Sequence, residues 1–287
     1  MNHFKQKMSL VCDLKHFLEL HRFNEVLTPV LRKDSGSLIK RIGVTVGGAL
    51  RDSHELQLRY LLSYYDSLYE IGSCFRDEET ETKAQEFLLM ELFSSKHSLD
   101  DLMELTKQFI LQQKPEIVFE QISIAELIDN MFNIDLFSGQ QKLLFQKLKQ
   151  KYSHEHYPND YEYVIHYIEE EVEPLSKGKV VFLTDYPECT CSYANIKKGD
   201  VINRFELFAN GLELANGFED ECSPNRFIER NSQLPIFKNE EETIVRMLSD
   251  GSLPSKSAGV GIGIERLCMF LLDSKSIVDF AFPSNDF

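Results

Sequence analysis

The sequence lacks the excess of basic residues that proteins binding a nucleic-acid backbone usually carry. Its 287 residues include 31 Lys and Arg against 46 Asp and Glu, which gives a formal net charge of −15. Phosphate contacts from basic side chains supply most of the affinity for such a backbone. The overall field of this chain is repulsive instead, so we expect a protein kept in solution by its charge and no stable binding of RNA.

Long apolar runs are missing as well. Although 43% of the residues are hydrophobic, no run approaches the roughly 20 residues that a membrane-spanning helix needs. Residues 1–7 have no apolar signal core behind them. We therefore expect a cytoplasmic protein with no membrane partner, and the length allows one large domain or two modest ones.

The six cysteines form no pattern typical of a redox or zinc site. Cys189 and Cys191 stand too close together for a CxxC site, and no second pair accompanies them. Reduced thiols among apolar neighbours are the expected state. His154-Glu155-His156 stands beside a turn-rich stretch, so it predicts a solvated loop rather than a metal site.

Hydrophobic periodicity predicts strands in both halves of the chain and helices between them. Residues 3–22 carry one apolar stripe at helical spacing, Ser98 and Ser123 each begin a capping-box pattern, and residues 43–60 are ambiguous. Strands are predicted at 25–28, 68–75, 86–93, 179–184 and from 257 into a helix, with a hairpin over 203–218. This order predicts an α+β fold: a single domain over 1–287, in which helices flank an antiparallel sheet and a helical insertion covers about 98–175.

The hairpin turns at Asn210-Gly211, the strongest short-range signal for a two-residue type I′ turn. The turn predicts a register in which Phe208 faces Glu213 and Glu206 faces Ala215. Glu206 and Glu213 then share a face as diagonal neighbours, roughly 7–8 Å apart at the backbone. Two such carboxylates could hold Mg²⁺ ions that bridge nucleotide phosphates, or they could be unrelated acids on a solvated face.

Two further segments carry candidate nucleotide-binding residues. Arg76 ends a predicted strand ahead of a polar loop, and an arginine fork suits an α-phosphate and the charge that develops there. In residues 259–266 alternate glycines clear one strand face for a flat ring, and Arg266 follows at the start of a helix. The spacing is not G-x-G-x-x-G. The alternative for the segment at Arg76 is a solvated loop. The alternative for residues 259–266 is tight packing of a strand against a helix.

In order, these segments resemble motifs 2 and 3 of class II aminoacyl-tRNA synthetases, and residues 25–29 resemble motif 1, whose proline lies at the dimer interface. Residues 184–187 and 205–218 resemble the lysyl branch in particular. The resemblance covers almost the whole chain, and its ordered motifs are highly specific. Because the motif 1 proline is already Pro29, we expect no anticodon-binding domain and no stable tRNA binding. The chain resembles the freestanding paralogue that lysylates elongation factor P.

The resemblance implies an AMP-forming ligase that uses ATP and Mg²⁺, works as a homodimer and activates lysine or β-lysine as an aminoacyl-adenylate. It implies that Arg76 and Arg266 are catalytic and that Glu206 and Glu213 bind the metal. The residues implied at ATP are Arg76, Asp77, Glu78, Phe87, Glu206, Leu207, Gly263 and Arg266. Those implied at the amino acid are Ser53, Glu55, Phe93, Glu213, Asn216 and Gly261.

Several positions depart from the family pattern. His54 replaces a proline, Lys83-Ala84-Gln85 replaces His-Asn-Pro, and Phe93 replaces a tyrosine. These changes leave adenylate formation intact and leave the amino acid and its acceptor open. The acceptor could be an amine of a protein such as elongation factor P, or a small molecule or carrier protein of a biosynthetic pathway; the chain could also be a truncated lysyl-tRNA synthetase paralogue. Retention of both arginines and both glutamates speaks against an inactive regulatory subunit.

Overall fold

The computed structural model of the protein describes residues 3–33, 42–44, 47–231 and 239–280. The α-helices in these segments are α1 (His3–Leu20), α2 (Glu55–Leu61), α3 (Leu99–Gln113), α4 (Ile124–Phe132), α5 (Gln141–Lys151), α6 (Asp160–Tyr167), α7 (Pro224–Asn231), α8 (Asn239–Ser249) and α9 (Ile264–Leu271). The strands are β1 (Asn24–Glu25), β2 (Leu31–Arg32), β3 (Ala49–Leu50), β4 (Ser67–Phe75), β5 (Glu86–Ser94), β6 (Phe119–Ser123), β7 (Val180–Thr184), β8 (Ile196–Lys198), β9 (Val201–Ile202), β10 (Arg204–Ala209), β11 (Leu212–Glu219) and β12 (Ala258–Gly263).

The chain forms two compact units. The first is built from Met1–Glu116 and Cys222–Phe287, and the second from Ile117–Glu221. In the first unit β5 lies between β4 and β12 and is antiparallel to both, while the short β1 joins β4 in parallel. Helix α1 packs against α9 and buries its apolar stripe, including Leu14 and Phe17. The α+β class is confirmed, but the edge strand is parallel where the sequence predicted an antiparallel sheet.

In the second unit the strand order is β11-β10-β7-β6. The first three strands are antiparallel neighbours, and β6 pairs in parallel with β7. Helices α4, α5 and α6 supply much of a common apolar core, with Ile128, Leu144 and Val164 fully buried. Strand β6 lies inside the stretch that was predicted to be mainly helical, because its partner β7 is far away in sequence and local periodicity does not reveal it.

The capping box predicted at Ser98 is confirmed. The Ser98 side chain accepts a hydrogen bond from the Asp101 N–H, and the Asp101 carboxylate accepts one from the Ser98 N–H at 2.8 Å, which completes the capping box of α3. At α4 the Ser123 hydroxyl accepts from the Glu126 N–H, which is one of the two bonds of the capping box predicted there.

The strand predicted at 25–28 is wrong in length, because only Asn24–Glu25 pairs as a strand. The Thr28 N–H and hydroxyl both donate to the Glu70 carboxylate, at 2.9 and 2.7 Å. The Thr28 N–H is therefore not used for strand pairing. The ambiguous stretch 43–60 contains β3 and the start of α2, and its residues 45–46 lie outside the described segments. No helix in the described part of the chain is long and apolar enough to cross a membrane.

Candidate active site

A serine hydroxyl and a glutamate carboxylate organise the segment that precedes α2. The Ser53 hydroxyl donates to the Glu91 carboxylate at 2.8 Å, and its oxygen accepts the Glu55 N–H at 3.0 Å. The His54 N–H also donates to Glu91, and the His54 Nδ1 lies 3.0 Å from the same carboxylate. Burial alone would raise the pKa of Glu91, but the hydrogen bonds and charge of His54 and the Ser53 hydroxyl hold this pKa below its ordinary value. Glu91 is therefore a fixed, buried anion.

Two glycines of β12 leave room for side chains of the neighbouring strand β5. Gly261 lies opposite Glu91, and a Cβ built there would stand 3.4 Å from the Glu91 Cγ. Gly259 lies opposite Phe93, and a Cβ there would stand 2.5 Å from the Phe93 ring. The sequence predicted that a flat ring could lie against this glycine face. At Gly259 this ring is the side chain of Phe93, which is only 3% exposed.

Arg76 follows directly after β4 and is held by an aromatic ring. Its guanidinium lies 5.1 Å from the centre of the Phe87 ring, an arrangement favoured by the ring's quadrupole. Its Nε and Nη2 reach the Asp52 carbonyl oxygen at 3.4 and 3.3 Å. Within the described segments no carboxylate forms a salt bridge with Arg76. An arginine without an acidic partner, in a chain of net charge −15, is suited to bind an anion.

The loop between β4 and β5 carries the other acidic residues predicted at ATP. Asp77 and Glu78 are exposed, and Glu78 pairs with Lys83 at 2.8 Å. Arg266, in the first turn of α9, donates from Nε to the Thr82 carbonyl at 3.1 Å and so ties α9 to this loop.

Gly263 precedes α9, and a Cβ there would meet the Arg266 side chain at 3.8 Å. In the first unit Glu91 thus brings Ser53, the start of α2 and Gly261 together, and Phe93 follows two residues further along β5. The other predicted residues of this unit, Arg76, Phe87, Gly263 and Arg266, lie in or beside the elements next to the β4–β5 loop.

The hairpin in the second unit has the predicted turn and an unpredicted bulge. Asn210 and Gly211 have φ angles of 52° and 83°, as a type I′ turn requires. Phe208 pairs with Glu213 as expected. The predicted pairing of Glu206 with Ala215 is wrong, because the register shifts between Leu207 and Phe208 and brings Asn216 opposite Glu206.

Glu206 lies in a dense network of donors. Its Oε2 accepts from the Tyr186 hydroxyl at 2.7 Å, and its Oε1 accepts from Arg204 and, at 3.4 Å, from the Asn216 amide. The Arg204 guanidinium also stacks on the Tyr186 ring, 4.6 Å from its centre. Leu207, the next residue of β10, is fully buried on the opposite face of the strand. Its side chain is therefore part of the core, and only its backbone could reach a nucleotide bound beside Glu206.

A third carboxylate, that of Glu173, lies close enough to the two predicted metal ligands for their charges to affect its pKa. Burial, followed by the charges of Glu206 and Glu213, raises the pKa of Glu173 to about 7. Burial, followed by the charge of Glu206, raises the pKa of the Tyr186 hydroxyl as well. Glu213 pairs with Phe208, and Phe208 shares a face of β10 with Glu206, so Glu206 and Glu213 lie on one side of the sheet, as predicted.

This pair fits the ligand chemistry of Mg²⁺. Within the described segments no group of three or more His, Cys, Asp or Glu side chains is arranged to hold a metal. Mg²⁺ does not need such a group, since one or two carboxylates, substrate phosphates and water commonly complete its shell. Glu206 and Glu213 would supply carboxylate oxygens, the kind of ligand that Mg²⁺ prefers.

The sequence did not single out several residues that the structure brings into these clusters. They are Glu91, Glu173, Tyr186 and Arg204, together with His54, which the sequence analysis noted only as a departure from the family pattern. The only local signal was an acidic residue in the apolar strand Leu88-Leu89-Met90-Glu91-Leu92-Phe93, where a buried charge needs a partner.

Comparison with known proteins identifies the family. The chain is 30% identical to the lysine–tRNA ligase of Helicobacter pylori, with 99% of this chain and 64% of that protein aligned. It is 27% identical to the lysine–tRNA ligase of Prochlorococcus marinus, with 97% and 61% aligned. It therefore spans less than two thirds of the length of these relatives. The sequence profile of the tRNA synthetases class II (D, K and N) matches residues 1–286, and the chain belongs to this family.

Proposed function

We propose that the protein is an AMP-forming ligase that activates a lysine-type amino acid. The amino-acid carboxylate attacks the α-phosphorus of ATP, pyrophosphate leaves, and an aminoacyl-adenylate forms. An acceptor amine then displaces AMP and an amide results. The observation that carries this proposal is Arg76, a half-buried guanidinium stacked on Phe87, with no salt-bridge partner among the described residues.

Arg76 would stabilise the negative charge that develops on the α-phosphate oxygens, which is the largest single contribution in many such sites. Arg266 would act on the terminal phosphates from the start of α9. In the second unit Glu206 and Glu213 would hold Mg²⁺, which when bound neutralises phosphate charge and orients the leaving group. Tyr186 and Arg204 would keep the Glu206 carboxylate in place.

The substrate's ammonium groups require carboxylates, because a buried, unpaired ammonium would cost several kcal/mol. We assign the side-chain ammonium to Glu55, at the start of α2, since the Ser53–Glu91 network fixes its backbone. Glu213 would meet the α- or β-amino group. Lysine and β-lysine both satisfy this arrangement.

For the acceptor we propose an amine, such as a lysine side chain of a protein like elongation factor P. The relatives are lysine–tRNA ligases, whose acceptor is tRNA. The net charge of −15 favours a non-nucleic-acid acceptor here. A small-molecule amine or a carrier protein would use the same chemistry.

We further propose a homodimer formed through an apolar patch of the first unit. Leu27 and Tyr64 are 81% and 71% exposed, and Leu31 and Tyr60 are also exposed. Leu31 and Tyr60 border a cavity of about 380 Å³. Exposed apolar side chains around a cavity are suited to bind a second copy of the chain.

ATP labelled at the α-phosphate tests the activity. With Mg²⁺ and lysine or β-lysine, labelled AMP should form, and without an amino acid it should not. Arg76→Gln should reduce the rate by about 10²–10³-fold. The control Arg246→Gln, which removes the same charge from an exposed position of α8, should not. Labelled ADP as the product would contradict the proposal.

A further inference from the structure

Four ionisable side chains form a buried cluster behind the proposed amino-acid site. Arg51, His54, Glu70 and Glu91 are 3%, 0%, 1% and 8% exposed. Glu70 and Glu91 are direct cross-strand partners in β4 and β5, a placement that is unfavourable for two like charges. A cation or a hydrogen-bond donor must therefore lie between them.

The His54 ring occupies that place. Its Nδ1 lies 3.0 Å from Glu91 Oε2, and its Nε2 lies 3.5 Å from Glu70 Oε1. The Arg51 Nη1 donates to the same Glu70 oxygen at 2.6 Å. The Cys74 thiol is 3.8 Å from both ring nitrogens, and burial raises its pKa, so it adds no charge.

The geometry fixes the direction of one ring contact. An ionised carboxylate only accepts hydrogen bonds, so the Nδ1 that lies 3.0 Å from Glu91 carries a proton and donates. The Nε2 faces Glu70 Oε1 at ion-pair distance. A buried carboxylate without such a donor would be strongly unfavourable.

We propose that His54 is a positioning residue for amino-acid binding: its ring donates from Nδ1 to the Glu91 carboxylate and holds it in the orientation that orders Ser53 and the start of α2. The chain of contacts runs from the ring to Glu91, from Glu91 to the Ser53 hydroxyl, and from Ser53 to the Glu55 N–H. This inference rests on the proposed function, because Glu55 is the residue assigned to the substrate ammonium. A proline at this position could supply neither the ring donors nor the backbone N–H.

A set of three variants separates the two ring contacts. The Asn amide nitrogen takes the place of Nδ1 and keeps the donor to Glu91, whereas the Gln amide nitrogen takes the place of Nε2 and keeps the donor to Glu70. Leu removes both donors at similar size. In amino-acid-dependent pyrophosphate exchange, His54→Asn should keep the KM for the amino acid within about threefold of the wild-type value. His54→Gln and His54→Leu should raise it about tenfold or more, the scale of a lost hydrogen bond to a charged group.

The KM for ATP should stay within about twofold in all three variants, and thermal melting identifies any variant that does not fold. Equal amino-acid KM values for His54→Asn and His54→Leu would overturn the proposal, and so would parallel changes in both KM values. Either result would mean that the ring acts only through general packing.

A second measurement does not depend on the enzymatic activity. In a long-range ¹H–¹⁵N spectrum, assigned by comparison with His54→Asn, the Nδ1 of His54 should have the shift of a protonated ring nitrogen. An unprotonated Nδ1 could not donate to Glu91 and would overturn the proposal. If the wild-type protein activates no amino acid, the proposed function fails and the positioning role fails with it, while the spectrum still decides whether Nδ1 donates to Glu91.

Discussion

Replacing Gly259 by alanine should destabilise the protein, and the structure gives the reason. A Cβ at this position would lie 2.5 Å from Cε1 and Cζ of Phe93 and 2.8 Å from its Cδ1. Carbon atoms make optimal contact at about 3.5 Å or more, so the ring would have to move by about 1 Å. The ring is only 3% exposed, and its neighbours are close-packed, so there is little free space to receive it.

Overpacking of this kind typically costs about 1–3 kcal/mol. Alanine also stiffens the unfolded chain, which returns about 0.4–1 kcal/mol where the backbone is unstrained. The net expected loss for Gly259→Ala is therefore about 1–2 kcal/mol. Gly261→Ala is the matched control, on the same strand and face, because its Cβ would stand at an ordinary 3.4 Å from the nearest atom. It should change the stability by no more than about 0.5 kcal/mol.

Equilibrium unfolding in urea measures both differences. Phe93→Leu provides a second check, since a smaller side chain should relieve the clash. The loss in Gly259→Ala/Phe93→Leu should be smaller than the sum of the two single losses. Equal losses for the two glycine variants, or strict additivity in the double variant, would refute the packing argument.

Three further outcomes follow from the same structure. Lys7→Met should cost about 3–5 kcal/mol at pH 7, because the Glu265 carboxylate, 3.2 Å from Lys7 Nζ, would stay buried without its cation. Burial already raises the pKa of Glu265 and Lys7 opposes that rise. A raised folded-state pKa means that this group contributes most to stability at low pH and less as the pH rises through that pKa. The cost in Lys7→Met should thus shrink towards acid pH and largely disappear in Lys7→Met/Glu265→Gln; a pH-independent cost in urea unfolding would contradict this. Glu55→Gln should weaken activation of lysine or β-lysine by about 2–5 kcal/mol with ATP binding nearly unchanged, and unaffected pyrophosphate exchange would point to a neutral or acidic substrate. The wild-type protein should scatter light as a dimer at micromolar concentration, and charged substitutions at Leu27 or Tyr64 should shift it to a monomer; a monomeric wild type would exclude the proposed dimer.

The sequence predicted those turns and helix starts that depend only on residues close together in the chain. The Asn210-Gly211 turn follows from the tolerance of both residues for positive φ, and the Ser98 cap follows from side-chain chemistry one turn into α3. The bulge at Leu207–Phe208 was not predictable in this way, because β10 must satisfy β7 and β11 at once. Strand β6 was missed for a related reason, since only its pairing with β7 defines it.

The buried charges were the least predictable part of the candidate site. Glu70, Glu91 and His54 come from three separate segments, and only the pairing of β4 with β5 brings them together. A sequence shows that a charge stands in an apolar strand, but its partner depends on tertiary contacts. The family resemblance supplied the other site residues, which individually gave weak signals, and their assignment to ATP, metal and amino acid stays a prediction.

Formation of an aminoacyl-adenylate from a lysine-type amino acid is reversible, so a chain that catalyses it also exchanges pyrophosphate into ATP. We would measure this ATP–pyrophosphate exchange with Mg²⁺ present and with each of the twenty standard amino acids and β-lysine offered in turn. We expect exchange with lysine or β-lysine and none without an amino acid. Exchange with none of these amino acids, or only with a neutral or acidic one, would contradict the claim.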